Sequence, residues 1–351
     1  MNPELFFQRV AGCLLAGAAG DALGAPVEFM DRDAIVARFG KGGIRDYAQA
    51  YGGTGKITDN TQMTLFTAEA CLEMFGANQP LAPGEPKARM RAAYQRWYLT
   101  QTSHSVPANA SGLLAHADLF NRRAPGTTCL NALRVPGGEN NDSKGCGGIM
   151  RVAPCGIVYT GNPEAAFKLG KMAARLTHGH PSGYLAAGVF AAIIALVMTG
   201  ESLPGGIEAS RRLLLSEPGS GETLAALDHA TRLAAGNRPA LACIGDLGEG
   251  WVAEEALAIS VYCALKAATL EEGVVMAVNI TGDSDSTGAM TGNLLGAMHG
   301  LGSVPARWLD GLELRGCIEE MARQLAQLPE SGKAFTPNRT ATSGVQGGVN
   351  A

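Results

Sequence analysis

Apolar residues recur at every third or fourth position through most of the chain, while stretches that alternate apolar and polar residues are scarce. The first spacing is typical of helices that bury one face, and the second is typical of strands. The pattern predicts helices over 4–20, 61–76, 86–100, 109–120, 162–176, 182–199, 206–215, 221–234, 252–268, 270–279, 287–300 and 313–327. We therefore expect an all-α fold.

Two of these predicted helices carry a small residue at every fourth position. The first has Gly12, Ala16, Gly20 and Gly24, and the second has Gly288, Gly292, Gly296 and Gly300. Residues with this spacing share one helix face. Glycine costs about 1 kcal/mol of helix stability relative to alanine, so we expect a compensating close approach of another helix and a central place for both.

No linker divides the chain. The segment 135–148, rich in glycine, proline and asparagine, is flanked by helical patterns and resembles a functional loop more than a domain boundary. After Phe335 the apolar periodicity stops. We therefore predict one compact domain over 1–335 and a frayed tail over 336–351.

Composition excludes some functions. With 351 residues, 46% of them hydrophobic, and a net charge of −4, the chain can bury a large core and lacks the basic character of proteins that bind nucleic acids or anionic membranes. The longest apolar stretch, 185–198, falls short of the roughly 20 residues that span a bilayer. Eight cysteines without a C-x-x-C pair, and a start that lacks a signal-type segment, favour a cytoplasmic protein with reduced thiols.

Two acidic segments rich in hydroxyl groups each precede a helical pattern. They are Thr58-Asp59-Asn60-Thr61 and Gly282-Asp283-Ser284-Asp285-Ser286-Thr287-Gly288. Together they offer three carboxylates and several neutral oxygens, which are ligands that hard divalent cations such as Mg²⁺ and Mn²⁺ select. The alternative is that both are ordinary helix N-caps. The second segment is not an EF-hand, because Leu294 occupies the position where that motif needs glutamate.

Three further segments carry candidate chemistry, each with a plainer alternative. Glycines at 145, 147 and 148 around Cys146 would let the backbone approach an anion, or would form a turn. His178 and His180 lack the partners of a zinc site and suit the wall of a ligand cleft. Glu28 follows a Gly/Pro turn among apolar residues, which would raise its pKa toward that of a general base if it is buried.

Taken in order, these segments resemble the ADP-ribosylglycohydrolase family over most of the chain. The resemblance is carried by G-D-A-L-G-A-P-V-E-F at 20–29, T-D-N-T-Q-M at 58–63, K-G-C-G-G-I-M-R-V-A-P at 144–154, T-H-G-H-P at 177–181, G-W-V-A-E-E-A-L at 250–257 and G-D-S-D-S-T-G-A at 282–289. It implies a helical domain with two Mg²⁺ ions, or Mn²⁺ in their place, in a central cleft. It also implies hydrolysis of a glycosidic bond to ADP-ribose.

The resemblance assigns roles to individual residues. One metal would be held by Thr58, Asp59 and Asn60, and the other by Asp283 and Ser286, with Asp285 shared. Glu28 or Asp59 would accept the proton of the attacking water. The turn of Gly145, Cys146, Gly147 and Gly148 would bind the diphosphate, and His178 and His180 would lie near the distal ribose or adenosine.

Asn60 departs from the family pattern, which usually has aspartate there. Asparagine keeps an oxygen but loses a negative charge, so the chain is an engineered trap, a natural enzyme of low activity, or a binder without turnover. We predict a metal-dependent hydrolase that removes ADP-ribose from protein, with arginine as the modified residue. We expect Asn60 to reduce its activity. The alternative is a non-catalytic immunity protein that binds ADP-ribose or a cognate ADP-ribosyltransferase toxin.

Overall fold

Helices account for the regular structure of residues 1–76, 81–103 and 105–328, which are the part of the chain that the computed structural model describes. In chain order the α-helices are α1 Pro3–Gly24, α2 Arg32–Phe39, α3 Asp59–Phe75, α4 Glu85–Thr102, α5 Thr127–Arg134, α6 Ala153–Val158, α7 Pro163–Arg175, α8 Pro181–Val197, α9 Leu203–Leu215, α10 Gly221–Ala234, α11 Ala240–Leu247, α12 Ala253–Lys266, α13 Leu270–Val278, α14 Ser284–His299, α15 Ala306–Gly311 and α16 Arg315–Ala326. Short 3₁₀ turns lie at Gly112–Ala115, Ala117–Leu119, Cys146–Gly148 and Leu301–Ser303.

A single buried apolar core connects these helices. It includes residues of α1, α3, α8, α12 and α14, and it extends to the last helix, α16. The prediction of a compact all-α domain is therefore confirmed. The tail predicted over 336–351 lies outside the described residues.

The two glycine-striped helices, α1 and α14, pack directly against each other. A Cβ atom built on Gly20 would lie 2.1 Å from the carbonyl oxygen of Gly288, and one built on Gly292 would lie 2.1 Å from that of Ala16. Both distances are far inside van der Waals contact, so a larger side chain would force the backbones apart. The predicted close approach is confirmed. Close packing of the two backbones at the centre of the fold offsets the low helix propensity of glycine.

One predicted helix was wrong, and several short helices were not predicted. The pattern over 109–120 predicts a helix, but the chain forms only the two 3₁₀ turns there. The periodicity also missed α2, α5, α6, α11 and α15, which are six to eight residues long. Helices of about two turns show too few repeats for the apolar spacing to be visible.

The apolar stretch within 185–198 belongs to α8, whose side chains are buried on nearly all sides. It is a core helix, as expected. Across the described residues, no helix combines the length and the apolar character needed to cross a bilayer.

Candidate metal centre

The two acidic segments meet at the starts of α3 and α14. Oγ1 of Thr58 lies 3.0 Å from Oδ2 of Asp285, and Nδ2 of Asn60 donates to the same carboxylate oxygen at 3.0 Å. Oγ of Ser286 donates to Oδ1 of Asn60 at 3.0 Å. Segments more than 220 residues apart in sequence thus form one polar cluster.

Both segments are also helix N-caps. The side chain of Thr58 accepts a hydrogen bond from the amide of Asn60, and that of Asp283 accepts one from the amide of Ser286. The plainer interpretation of each segment is therefore correct as local structure. It does not exclude a binding site, because capping places the carboxylates of both helices at adjacent N-termini, where the helix dipoles favour negative charge.

Asp21 anchors one half of this cluster, and the sequence analysis did not assign it a role. It is fully buried in α1, and its carboxylate accepts from the amide and hydroxyl of Thr58 at 3.1 and 2.7 Å. It also accepts from the amide of Thr61 at 3.0 Å. Burial, reinforced by the charge of Asp285, raises the pKa of Asp21 to about 7. A carboxylate between Gly20 and Gly24 on a stripe of small residues was the signal that could have revealed it.

Three other carboxylates converge most tightly. Ligand atoms of Glu28, Asp283 and Asp285 all lie within 4.8 Å of one another, and all three residues are buried. Burial, then the charges of Asp285 and Asp283, raise the pKa of Glu28 to about 11. Burial and the charge of Asp283 also raise the pKa of Asp285. Such a group of like charges is unfavourable in a dry site unless protons or a cation neutralise it.

Asp59 faces the same space from α3. Its Oδ2 accepts a hydrogen bond from the amide of Gly126 at 3.1 Å, and burial followed by the charge of Asp285 raises its pKa. The carboxylate is thus held by the loop that precedes α5.

A cleft of about 210 Å³ joins most of the predicted site residues. Those on its wall are Glu28, Asp59, Asn60, Gly145, Cys146, Gly147, His178, Asp283, Asp285 and Ser286. Ala124, Cys129, Met150 and Trp251, which the sequence analysis did not select, also line it.

Three predicted residues lie elsewhere. Thr58 is buried behind the wall, in contact with Asp21. Gly148 packs inward, since a Cβ atom there would lie 3.1 Å from Cβ of Ala174. His180 caps α8, where its Nδ1 accepts from the amide of Ser182 at 3.2 Å.

The glycine turn is held against the segment that precedes α12. The amide of Cys146 donates to the carbonyl of Trp251 at 3.0 Å, and that of Ala253 donates to the carbonyl of Lys144 at 2.8 Å. A Cβ atom on Gly147 would lie 3.0 Å from Sγ of Cys129. The thiol of Cys146 donates to Oδ2 of Asp283 at 2.6 Å, so this turn contacts the acidic cluster directly.

His178 is a neutral group in this wall. Its Nδ1 lies 2.8 Å from Oγ1 of Thr177, to which Nη2 of Arg151 donates at 2.7 Å. Burial, then the nearby positive charge of Arg151, lower the pKa of His178 to about 3. The imidazole can therefore hydrogen-bond a ligand at neutral pH without adding charge.

The cluster fits a divalent cation. Carboxylate oxygens are the ligands that Mg²⁺ and Mn²⁺ prefer. Oε2 of Glu28 is buried and has no hydrogen-bond partner among the described residues, which is costly for an acidic oxygen unless a ligand satisfies it. Glu28 was predicted to act on the attacking water, and its position beside Asp283 and Asp285 also suits it to contact a cation.

The helical fold and the acidic cleft define a helical protein with a buried carboxylate site. The family model of the ADP-ribosylglycohydrolases matches residues 2–334, and the chain belongs to this family. That membership supports a hydrolase acting on ADP-ribosylated substrates.

Relatives are consistent with this assignment. The ADP-ribosylarginine hydrolase Tri1 of Pseudomonas putida is 23% identical, with 93% of this chain and 80% of Tri1 covered. The ADP-ribosyl-[dinitrogen reductase] glycohydrolase of Rhodospirillum rubrum is 24% identical, with 91% and 95% covered. A solved structure described as an ADP-ribosylglycohydrolase-related protein complex superposes with a TM-score of 0.61 at 28% identity, covering 93% of this chain and 99% of that one.

Proposed function

We propose that this protein is a metal-dependent hydrolase that releases ADP-ribose from ADP-ribosylated arginine in protein. The observation that carries the proposal is the convergence of buried carboxylates in a cleft, with Oε2 of Glu28 left without a hydrogen-bond partner. The preference for arginine rests on distant relatives that are named ADP-ribosylarginine hydrolases.

Magnesium is the proposed cation, held by oxygens of Asp59, Asn60, Asp283, Asp285 and Ser286, with Thr58 behind them. When bound, it supplies positive charge that orients the substrate's hydroxyl groups and a water and supports charge on the reacting sugar. The first five of these residues all line the same small cleft, which supports a shared cation site.

Glu28 is the proposed general base. Its Oε2 is buried and has no hydrogen-bond partner among the described residues, whereas Oδ2 of Asp59 accepts a hydrogen bond from the amide of Gly126. Of the two carboxylates predicted for this role, we prefer Glu28 because that of Asp59 is already held by a backbone amide. A cation beside it would offset the charges that raise its pKa and favour the carboxylate form.

The remaining wall positions the substrate. The turn of Gly145, Cys146 and Gly147 would hold the diphosphate, and neutral His178 would hydrogen-bond a ribose or adenine group. Binding energy gained at this remote end orients the bond that breaks.

We place the protein in the cytoplasm. All eight of its cysteines are free thiols in the structure, which suits a reducing compartment.

The test is turnover of ADP-ribosylarginine with Mg²⁺ and after chelation, with release of ADP-ribose followed by chromatography. We expect release that depends on the cation. Affinity for ADP-ribose without release, in the presence of Mg²⁺ or Mn²⁺, would instead support the alternative of a non-catalytic binder of ADP-ribose or of a toxin.

A further inference from the structure

Two aromatic side chains lie stacked and exposed beside the cleft. The ring centroids of Phe29 and Trp251 are 6.0 Å apart with an interplanar angle of 15°. Phe29 is 75% exposed and Trp251 is 39% exposed. Single exposed apolar residues are ordinary on a protein surface, but a joined pair of large rings at a cleft is typical of a contact surface.

The ring of Trp251 is held in place by its surroundings. Its Nε1 donates to Oε2 of Glu249 at 3.1 Å, and its carbonyl accepts from the amide of Cys146. The amides of Glu249 and Gly250 both donate to Oε2 of Glu255 at 3.1 Å, which ties the loop to α12. A ring fixed in this way loses little conformational freedom when it binds a partner.

Phe29 and Trp251 together extend from the cleft wall to the outer surface. Trp251 is part of the cleft wall, whereas Phe29 is not. Phe29 directly follows Glu28, whose carboxylate belongs to the acidic cluster. A group attached to the sugar at the acidic cluster would therefore pass the two rings on its way out of the cleft.

The charges around the pair select what it can contact. Glu249 lies against the ring of Trp251, and its negative charge would repel a diphosphate. The face of an aromatic ring attracts cations such as guanidinium and ammonium groups. Both effects favour the acceptor end of the substrate over its nucleotide end.

We propose that Phe29 and Trp251 form a contact surface for the polypeptide that carries the ADP-ribose, and that this polypeptide is neutral or basic around the modified residue. The proposal rests on the proposed function and extends it, since it makes the protein selective for modified protein over the free modified amino acid.

The test compares two substrates, an ADP-ribosylated protein and free ADP-ribosylarginine. For Phe29→Ser we expect the ratio of kcat/KM for the protein over that for the amino acid to fall about tenfold, in line with the loss of one well-placed aromatic contact. Phe29→Tyr, which keeps the ring, should retain most of the ratio. The matched control is Leu215→Ser, since Leu215 is 55% exposed and lies outside the cleft.

An unchanged ratio in Phe29→Ser would overturn the proposal, and so would an equal loss on both substrates, which would assign Phe29 to the chemistry at Glu28. A loss of affinity for free ADP-ribose would assign the rings to the nucleotide. If the wild-type protein releases ADP-ribose from neither substrate, the proposed function fails. Calorimetry then tests the contact surface separately. Phe29→Ser should still lower the affinity for the modified protein about tenfold relative to the affinity for ADP-ribose.

Discussion

Nδ2 of Asn60 donates to Oδ2 of Asp285 at 3.0 Å, which joins the start of α3 to the start of α14. The same amide group lies 3.0 Å from Oγ1 of Thr58, and its oxygen accepts from Ser286. A neutral side chain thus occupies a position where an aspartate would face Asp285 with like charge.

Asn60→Asp should make the protein depend more strongly on its cation. We expect tighter divalent binding by roughly 1–3 kcal/mol, because a charged ligand replaces a neutral one, together with faster hydrolysis. ADP-ribose affinity should change less. Without metal the variant should melt at a lower temperature than wild type. Calorimetry with metal and with ADP-ribose, single-turnover rates and melting curves in chelator measure the four effects.

The control is Asn293→Asp. Asn293 is also buried, but its Nδ2 donates to the carbonyl of Cys13, so this variant should lose stability with or without Mg²⁺. If Asn60→Asp binds metal no better and stays inert, Asn60 is not a metal ligand and the binder alternative gains support.

Asp285→Ala should abolish metal-dependent hydrolysis, since its carboxylate lies between Glu28, Asp283 and the Thr58–Asn60 segment. The same variant should bind Mg²⁺ far more weakly in calorimetry. Asp118→Ala removes an exposed carboxylate outside the cleft and should match wild type. Full turnover by Asp285→Ala at low metal would disprove the two-segment metal centre.

The sequence predicted the long helices and most of the residues that line the cleft. It predicted less well what each of those residues contacts. The stripes containing Gly20 and Gly288 predicted a contact that the backbone distances confirm. Periodicity could not detect helices of two turns, and it read 109–120 as a helix although only 3₁₀ turns form there.

The role of a site residue depends on packing between distant segments, which the spacing of residues along the chain does not encode. Asp21 was missed because its partners, Thr58 and Thr61, are about 40 residues away. His178 and His180 looked equivalent in sequence, yet only His178 lines the cleft. The lowered pKa of His178 follows first from its burial and then from the charge of Arg151, both of which arise only on folding.

Gly147→Val should raise KM for an ADP-ribosylated substrate by about tenfold, a loss of roughly 1.4 kcal/mol in binding. The first atom of the new side chain would lie 3.0 Å from Sγ of Cys129 and 3.3 Å from Cε1 of His178, so the wall must shift. Metal affinity should change less. Gly316→Val is the control, because open space surrounds that position. Unchanged ADP-ribose affinity would assign the turn a purely structural role.

The metal-free protein should lose stability as pH rises. Folding raises the pKa of Asp21 from 3.8 to about 7 and that of Glu28 from 4.5 to about 11. The folded state therefore holds protons that the unfolded state has released, and its stability falls as pH rises through this interval. Melting temperatures in chelator should decrease from pH 5 to pH 8. Added Mg²⁺ should restore more stability at pH 8 than at pH 5.

Glu28→Gln provides the comparison for this pH dependence. Its melting temperature in chelator should fall less steeply with pH, because one of the titrating groups is gone. A slope equal to that of wild type would show that Glu28 is not protonated in the metal-free protein.

His178 should act on stability in the opposite direction. Its pKa is lowered from 6.5 to about 3 in the folded protein, so acidification protonates the unfolded state first. This contribution to stability is present above pH 6.5 and is lost as pH falls toward 3. The difference in melting temperature between wild type and His178→Gln should therefore shrink from pH 7 to pH 4. His116→Gln, at an exposed position, should leave the wild-type profile unchanged.

The glycine contact between α1 and α14 continues to the site itself. A Cβ atom on Gly24 would lie 2.4 Å from the carbonyl oxygen of Ser284. Gly24 is four residues before Glu28, and Ser284 is one residue before Asp285. The backbone segments that carry these two carboxylates are therefore held together by main-chain atoms in direct contact, which have no alternative rotamers. The spacing of the proposed cation site therefore depends on how α1 and α14 cross, and the crossing itself needs no bound ligand.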